Sequence, residues 1–248
     1  MKNELVKLED QSLSKAVVDI LKEDIRTAAE GMDFRPPRYT IEHKGLKFLS
    51  SADNKGQDTI TGVIVLKQKT RGIWKEGEKA PECSSLDGIM GKEKLVEEER
   101  LCSTCPKNQW GSHGEKGKAC KEMRRVLIVE NTDDYFPVVL TIPPTSIRIF
   151  DEFLSGLYHK KIYPIMTNIK FSLERAEGGG FKYAKIKMEL AEPLTMAQIE
   201  KVGALKERFK QKFENLNVET EETEAPGTDN PDDFSFGGDD PNNEHLPV

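Results

Sequence analysis

"YPIMTNIKFSLERAEGGGFKYAKIKMELAEPL", residues 163–194, holds two runs of alternating residues on either side of Gly178, Gly179 and Gly180. Alternation broken by a glycine turn is the pattern of a β-hairpin. In the second run Phe181, Tyr183, Lys185 and Lys187 share one parity, and Lys182, Ala184, Ile186 and Met188 share the other. A strand sends successive side chains to opposite faces. The first set therefore forms a face of rings and ammonium groups, and the second a face for the core with Lys182 as its exception.

The flanking sequence is read from this hairpin. "TMAQIEKVGALKERFKQKFENL" (195–216) is a helix capped by Thr195, and "TSIRIFDEFLSGLYHKK" (145–161) is a helix capped by Thr145 or Ser146. Further upstream, "YTIEHKGLKFLSS", "TITGVIVLKQKTRGIW", "RRVLIVE" and "YFPVVLTIPP" are rich in β-branched and aromatic residues and broken by turn formers, so they read as strands. Residues 12–30 carry apolar Leu13, Ala16, Val17, Ile20, Leu21 and Ile25 at helical spacing, and "RPPR" (35–38) follows as a rigid connector. No repeat of 20–50 residues is visible. The expected fold is mainly β with peripheral helices: an OB-like, partly open antiparallel barrel. The expected domains are an N-terminal helix (1–34), a body (35–214) with a cysteine-bearing insert at about 83–125, and an acidic tail (215–248).

Charge separates the tail from the body. Ten of the 43 acids lie in residues 215–248, where there is no Lys or Arg, and residues 1–214 keep 37 bases against 33 acids, net +4. Such a tail, with its Pro, Gly, Asn and Thr, lacks the apolar residues to repay the entropy of folding and is expected to be disordered. No apolar run nears the roughly 18 residues of a membrane span, and the N-terminus mixes acid and base with no signal-like core. A soluble protein of the cytoplasm is expected, in a reducing setting that disfavours disulfides.

All four cysteines fall within 38 residues: Cys83, Cys102, Cys105 and Cys120. Cys102 and Cys105 form a C-x2-C knuckle, and the flanking pair could complete a tetrahedral zinc site. Four thiolates leave no open position for water, so such a site is structural. His113 could replace one thiolate. A redox pair is the alternative, but the knuckle precedes a loop-rich stretch, not the helix of a βαβ unit. Beside the site stand Lys107, Lys116, Lys118, Lys121, Arg124 and Arg125, with Trp110 among them.

Rings interleaved with cations are what an extended nucleic acid needs for base stacking and phosphate contact. The candidate contacts are Lys69, Arg71, Trp74, Trp110, Arg124, Arg125, Phe181, Lys182, Tyr183 and Lys185. No phosphate-binding G-x-x-x-x-G-K-[ST], H-E-x-x-H or G-x-S-x-G is present, and no enzyme is expected.

The cysteines with "CPKNQWGS", the basic aromatic strands and "NPDDFSFGGDDPNNEHLPV" together resemble phage-type single-stranded DNA-binding proteins. The resemblance implies an OB-like body, a zinc-binding insert and an acidic tail. It also implies binding and protection of single-stranded DNA during replication, recombination or repair, in the host cytoplasm. Replication or recombination proteins would be recruited through Asp232, Asp233, Phe234, Phe236, Asp239 and Asp240, with Leu246, Pro247 and Val248 as an apolar tip. Two other classes stay open: a zinc-stabilised protein adaptor or transcription modulator, and a strand-annealing recombination subunit.

Overall fold

The computed structural model describes residues 14, 16–17, 19–20, 23–24 and 35–218, apart from 76–79, 95–98, 115–116, 133–135 and 179–180. The chain divides into two compact units, Met1–Arg35 and Pro36–Val248. In the first, residues 16–17, 19–20 and 23–24 are helical, in line with the apolar period of 12–30.

The second unit is mainly β. In chain order it contains β1 (Arg38–Glu42), β2 (Lys47–Ser50), β3 (Gly56–Gln57), β4 (Thr59–Ile73), β5 (Cys83–Ser85), β6 (Met90–Glu93), β7 (Glu99–Leu101), β8 (Lys121–Val129) and β9 (Val138–Ile142). Helix α1 (Ile147–His159), the hairpin β10 (Thr167–Gly178) and β11 (Phe181–Pro193), and helix α2 (Met196–Glu214) follow. Strand β4 is the hub. Its first residues pair antiparallel with β10, residues Val63–Gly72 with β8, and Arg71–Ile73 with β5. β8 continues into β9, and β9 pairs with β1 in parallel. The sheet is therefore mixed, which corrects the antiparallel expectation: β1 reaches β9 from a distant part of the chain and is not constrained by a tight turn to run against it. No helix among the described residues is long and apolar enough to cross a membrane.

The predicted hairpin forms with Gly178 opposite Phe181, and its core face is the expected one, with Ala184, Ile186 and Met188 buried. Among the described residues β11 pairs with no strand but β10. Side chains cap part of its other edge: Ala184 N donates to His43 Nδ1 (2.9 Å) and Ile186 N to Ser146 Oγ (3.0 Å). Ser146 thus satisfies a strand edge and not the start of α1, where its side chain makes no capping bond. An exposed strand edge is a template for unwanted pairing, and these caps blunt it.

A bulge between Ile64 and Leu66 resets which residues of β4 face which side. One face, with Ile60, Ile64, Val126 and Ile128, joins the main core, where α1 adds Phe150, Leu154 and Leu157 at helical spacing. Beyond the bulge the other face carries Gln68 and Thr70 opposite Arg125 and Met123. Helix α2, started by the predicted Thr195 cap with Gln198 completing a capping box, lies over this second face. Val202, Leu205, Phe209 and Phe213 are its buried stripe. Leu216 and Val218 are also buried, so the body extends past 214, four residues into the expected tail.

Arg125 locks that extension. Its guanidinium is fully buried and donates to Leu216 O (2.6 Å), Asn217 O (2.9 Å) and Gln68 Oε1 (2.7 Å). As a phosphate contact Arg125 is therefore a correction: strand parity turns it under α2. Arg125→Leu would strand buried acceptors, and each hydrogen bond to a charged donor contributes about 1.5–3 kcal/mol. The apolar side chain escapes the cost of burying a charge, which offsets much of that; the expected net loss of stability is about 2 kcal/mol, seen as a lower urea midpoint at unchanged m-value. An unmoved midpoint would contradict this role.

Candidate functional site

The insert joining β4 to β8 is built to gather sulfur. The β5–β6–β7 meander pairs Cys83 with Glu93 and Met90 with Leu101, which places Cys83 and Cys102 beside Gly91. A Cβ on Gly91 would stand 3.2 Å from Cys83 Sγ and 3.4 Å from Cys102 Sγ, so a side chain there would crowd both sulfurs. After the knuckle a short 3-10 turn, Pro106–Asn108, reverses the chain. Asn108 Nδ2 donates to Cys102 O (2.7 Å), Asn108 N to Cys105 O (3.0 Å) and Cys120 N to Lys107 O (2.8 Å). All four cysteines, none in a disulfide, line a single pocket with Arg71 and Lys107. His113 is exposed and does not line it.

Burial pushes the Cys83 thiol up to about 11, and the neighbouring Cys102 and Cys105 add to the shift. Burial likewise pushes Cys120 up to about 11, against the pull of Arg71 and with the other three thiols adding to it. For Cys83 and Cys120 this is the opposite of the depressed pKa of an activated thiol. The donor set fits a soft dication, whose charge would remove the mutual repulsion of the thiolates. Among the described residues no group of three or more metal-ligating side chains stands ready to hold an ion, so the thiols would have to draw inward on binding.

Next to the pocket is a cluster of charge. Lys67, Lys69 and Arg71 lie at two-residue steps on one face of β4, opposite Val126, Arg124 and Glu122 of β8. Glu122 collects three cations: Lys69 (3.1 Å), Arg124 (2.7 Å) and Arg71. Arg71 also donates to Asn108 Oδ1 (2.7 Å) and Gly88 O (3.2 Å), which ties the insert to the β4–β8 ladder. Arg124 reaches Asp151 of α1 at 2.9 Å. Burial alone would raise Glu122, but the Arg124 hydrogen bond and the charges of Arg71 and Lys69 hold it below the usual carboxylate range. With the folded pKa depressed, this clamp is fully present above the ordinary Glu range and is lost as pH falls through the lowered value.

No protein-family model, curated protein or solved structure matches the chain. The residues themselves carry the functional argument.

The sequence-selected contacts divide into groups. Lys69, Arg71 and Arg124 come together as described. Trp110 stands on the insert with 53% of its surface exposed. On the hairpin Tyr183 and Lys185 are half-buried, while Lys182 is exposed and pairs across the strands with Glu177 (3.2 Å). Trp74 belongs elsewhere: its ring lies over Gly72, where a Cβ would come within 2.1 Å of it, and its Nε1 is buried. That packing occupies a face a base would need. Burial pulls the Lys121 pKa down, against the opposing pull of Cys120. The Phe181 side chain and the tail residues Asp232, Asp233, Phe234, Phe236, Asp239 and Asp240 lie outside the described residues. Sequence reasoning missed Gly91 and Glu122. The alternating E-x-R in "KEMRR" was a signal for Glu122, whereas Gly91 becomes meaningful only once three strands pair.

Proposed function

We propose that this chain binds single-stranded DNA without reading its sequence, as a non-enzymatic protein of replication, recombination or repair. The observation that carries the reading is connectivity. Strands β4, β8 and β9 run antiparallel in succession, α1 follows, and the β10–β11 hairpin returns to pair with β4. That order supports an OB-like barrel, in which the loops between strands one and two and between four and five bind oligonucleotides. Here the first of those loops is the cysteine insert with Trp110, and the second is the turn beside Phe181, Lys182 and Tyr183. The face of β8 that an OB fold would offer to a ligand lies under α2, so contacts are assigned to the loops and to the Lys67–Arg71 face.

Zinc held by Cys83, Cys102, Cys105 and Cys120 would supply no chemistry beyond rigidity: it would fix the insert, and with it Trp110 and Lys107, against β4. The acidic tail would recruit partner proteins. The test is a titration of labelled oligothymidylate and of duplex at two salt concentrations. Single strands should bind more tightly, and the logarithm of the affinity should fall with that of the salt by about 0.7 per phosphate neutralised. Equal affinity for duplex, or indifference to salt, would favour the protein-adaptor alternative.

A further inference from the structure

Helix α1 ends on Tyr158 and His159, and the chain continues as Lys160, Lys161, Ile162 and Tyr163. Ile162 N donates to Leu157 O and Lys161 N to Tyr158 O, each at 2.9 Å, which is the Schellman closure of a helix. Lys161 takes φ 58°, the left-handed position where glycine is the usual occupant. Leu157 belongs to the core and Ile162 packs against it, so the turn is held despite that strain. As a result Tyr158 and Tyr163 meet edge to face, with ring centres 6.2 Å apart and planes at 62°. Both remain in water, 42% and 52% exposed. Lys67 Nζ donates to Tyr158 Oη (3.0 Å) and stands 4.9 Å from its ring centre. Among the described residues Lys67, Lys160 and Lys161 are in no ion pair, unlike Lys69, Arg71 and Arg124, which Glu122 holds.

Fixed rings left in solvent beside cations that no carboxylate holds make a base-stacking platform. We infer that Tyr158 and Tyr163 form a stacking subsite for single-stranded DNA, with Lys67, Lys160 and Lys161 on its phosphates. This rests on the single-strand reading above and extends it. Lys67 shares its face of β4 with Lys69 and Arg71, so a row of cations roughly 13 Å long leads from the cysteine insert to the tyrosine pair. Lys161→Gly should relax the turn, so it separates the charge of this lysine from its place in the fold.

The full chain is titrated with fluorescein-labelled oligothymidylate. The double variant Tyr158→Ala, Tyr163→Ala should bind about thirtyfold or more weakly, since each stacked ring is worth roughly 1–3 kcal/mol. Tyr158→Phe with Tyr163→Phe, which keeps the rings, should bind within about twofold of wild type. Lys161→Gly should raise the melting temperature by about 2–4 °C and still weaken binding, an opposition that a purely structural lysine would not produce. Wild-type binding that is unchanged in the double alanine variant overturns this subsite alone. A wild type with no affinity for single strands overturns the functional reading and the subsite together.

Discussion

Protein produced with zinc present should carry one zinc per chain, and serine in place of Cys83, Cys102, Cys105 or Cys120 should abolish it. The four sulfurs line one pocket, and the backbone around them is already tied by Asn108 and Cys120. Structural zinc in small domains binds with about 10–16 kcal/mol, and where the site forms only on folding, that energy is folding energy. The insert has little else: β5, β6 and β7 are three or four residues each, and β7 is exposed throughout. Chelation should therefore raise amide exchange across residues 83–105 while the stretch locked by Arg125 keeps its protection. Gly91→Val offers a separate arm, because it removes no ligand but pushes a side chain into the space between Cys83 and Cys102. It should lower zinc content as the serine variants do. Elemental analysis without stoichiometric metal, in wild type purified with zinc, would overturn the zinc site.

How far such a site can be read from sequence depends on the distance over which its parts are assembled. The hairpin was legible because its strands adjoin: alternation and three glycines contain the register, and Ala184, Ile186 and Met188 are buried as alternation requires. The cysteines were legible by count. Arg124 and Arg125 show the opposite case. Adjacent and identical in type, they point to opposite faces, and only the arrival of α2 and residues 215–218 makes one a buried lock and the other a surface cation. Trp74 was read as a free ring because the sequence cannot show that Gly72, two residues before it, leaves space for the indole. The parallel pairing of β1 with β9 joins distant segments and leaves no local pattern. Tyr158 and Tyr163 flank "HKKI", itself an interleaving of ring and base, but one falls in the helix read over 145–161 and the other in the stretch read as a hairpin, so no local pattern joins them.

Removing residues 219–248 should tighten single-strand binding about a hundredfold at low salt and only slightly at high salt. All ten acids of the tail lie in that segment, and it departs from Val218, which is buried beside the Arg125 lock. The β4–β8 ladder beneath that lock carries Lys67, Lys69 and Arg71 on its other face. A polyanion tethered so near acts on those cations at an effective concentration on the order of 1 mM. If it holds them with a dissociation constant of about 10 µM at low salt, DNA must overcome a competition of about a hundredfold. Salt weakens the tail's hold, since charges separated by more than about 10 Å are largely screened at 0.1 M. The affinities of the full and shortened chains should therefore converge as salt rises. DNA that wins the site would release Phe234 and Phe236 with their flanking aspartates for partner proteins, so the shortened chain should also fail to recruit them. Equal affinity of the two chains at every salt concentration, with partner binding intact, would reduce the tail to a solubilising segment. Tightening with partner binding retained would instead separate the two roles and place the recruiting surface on the body.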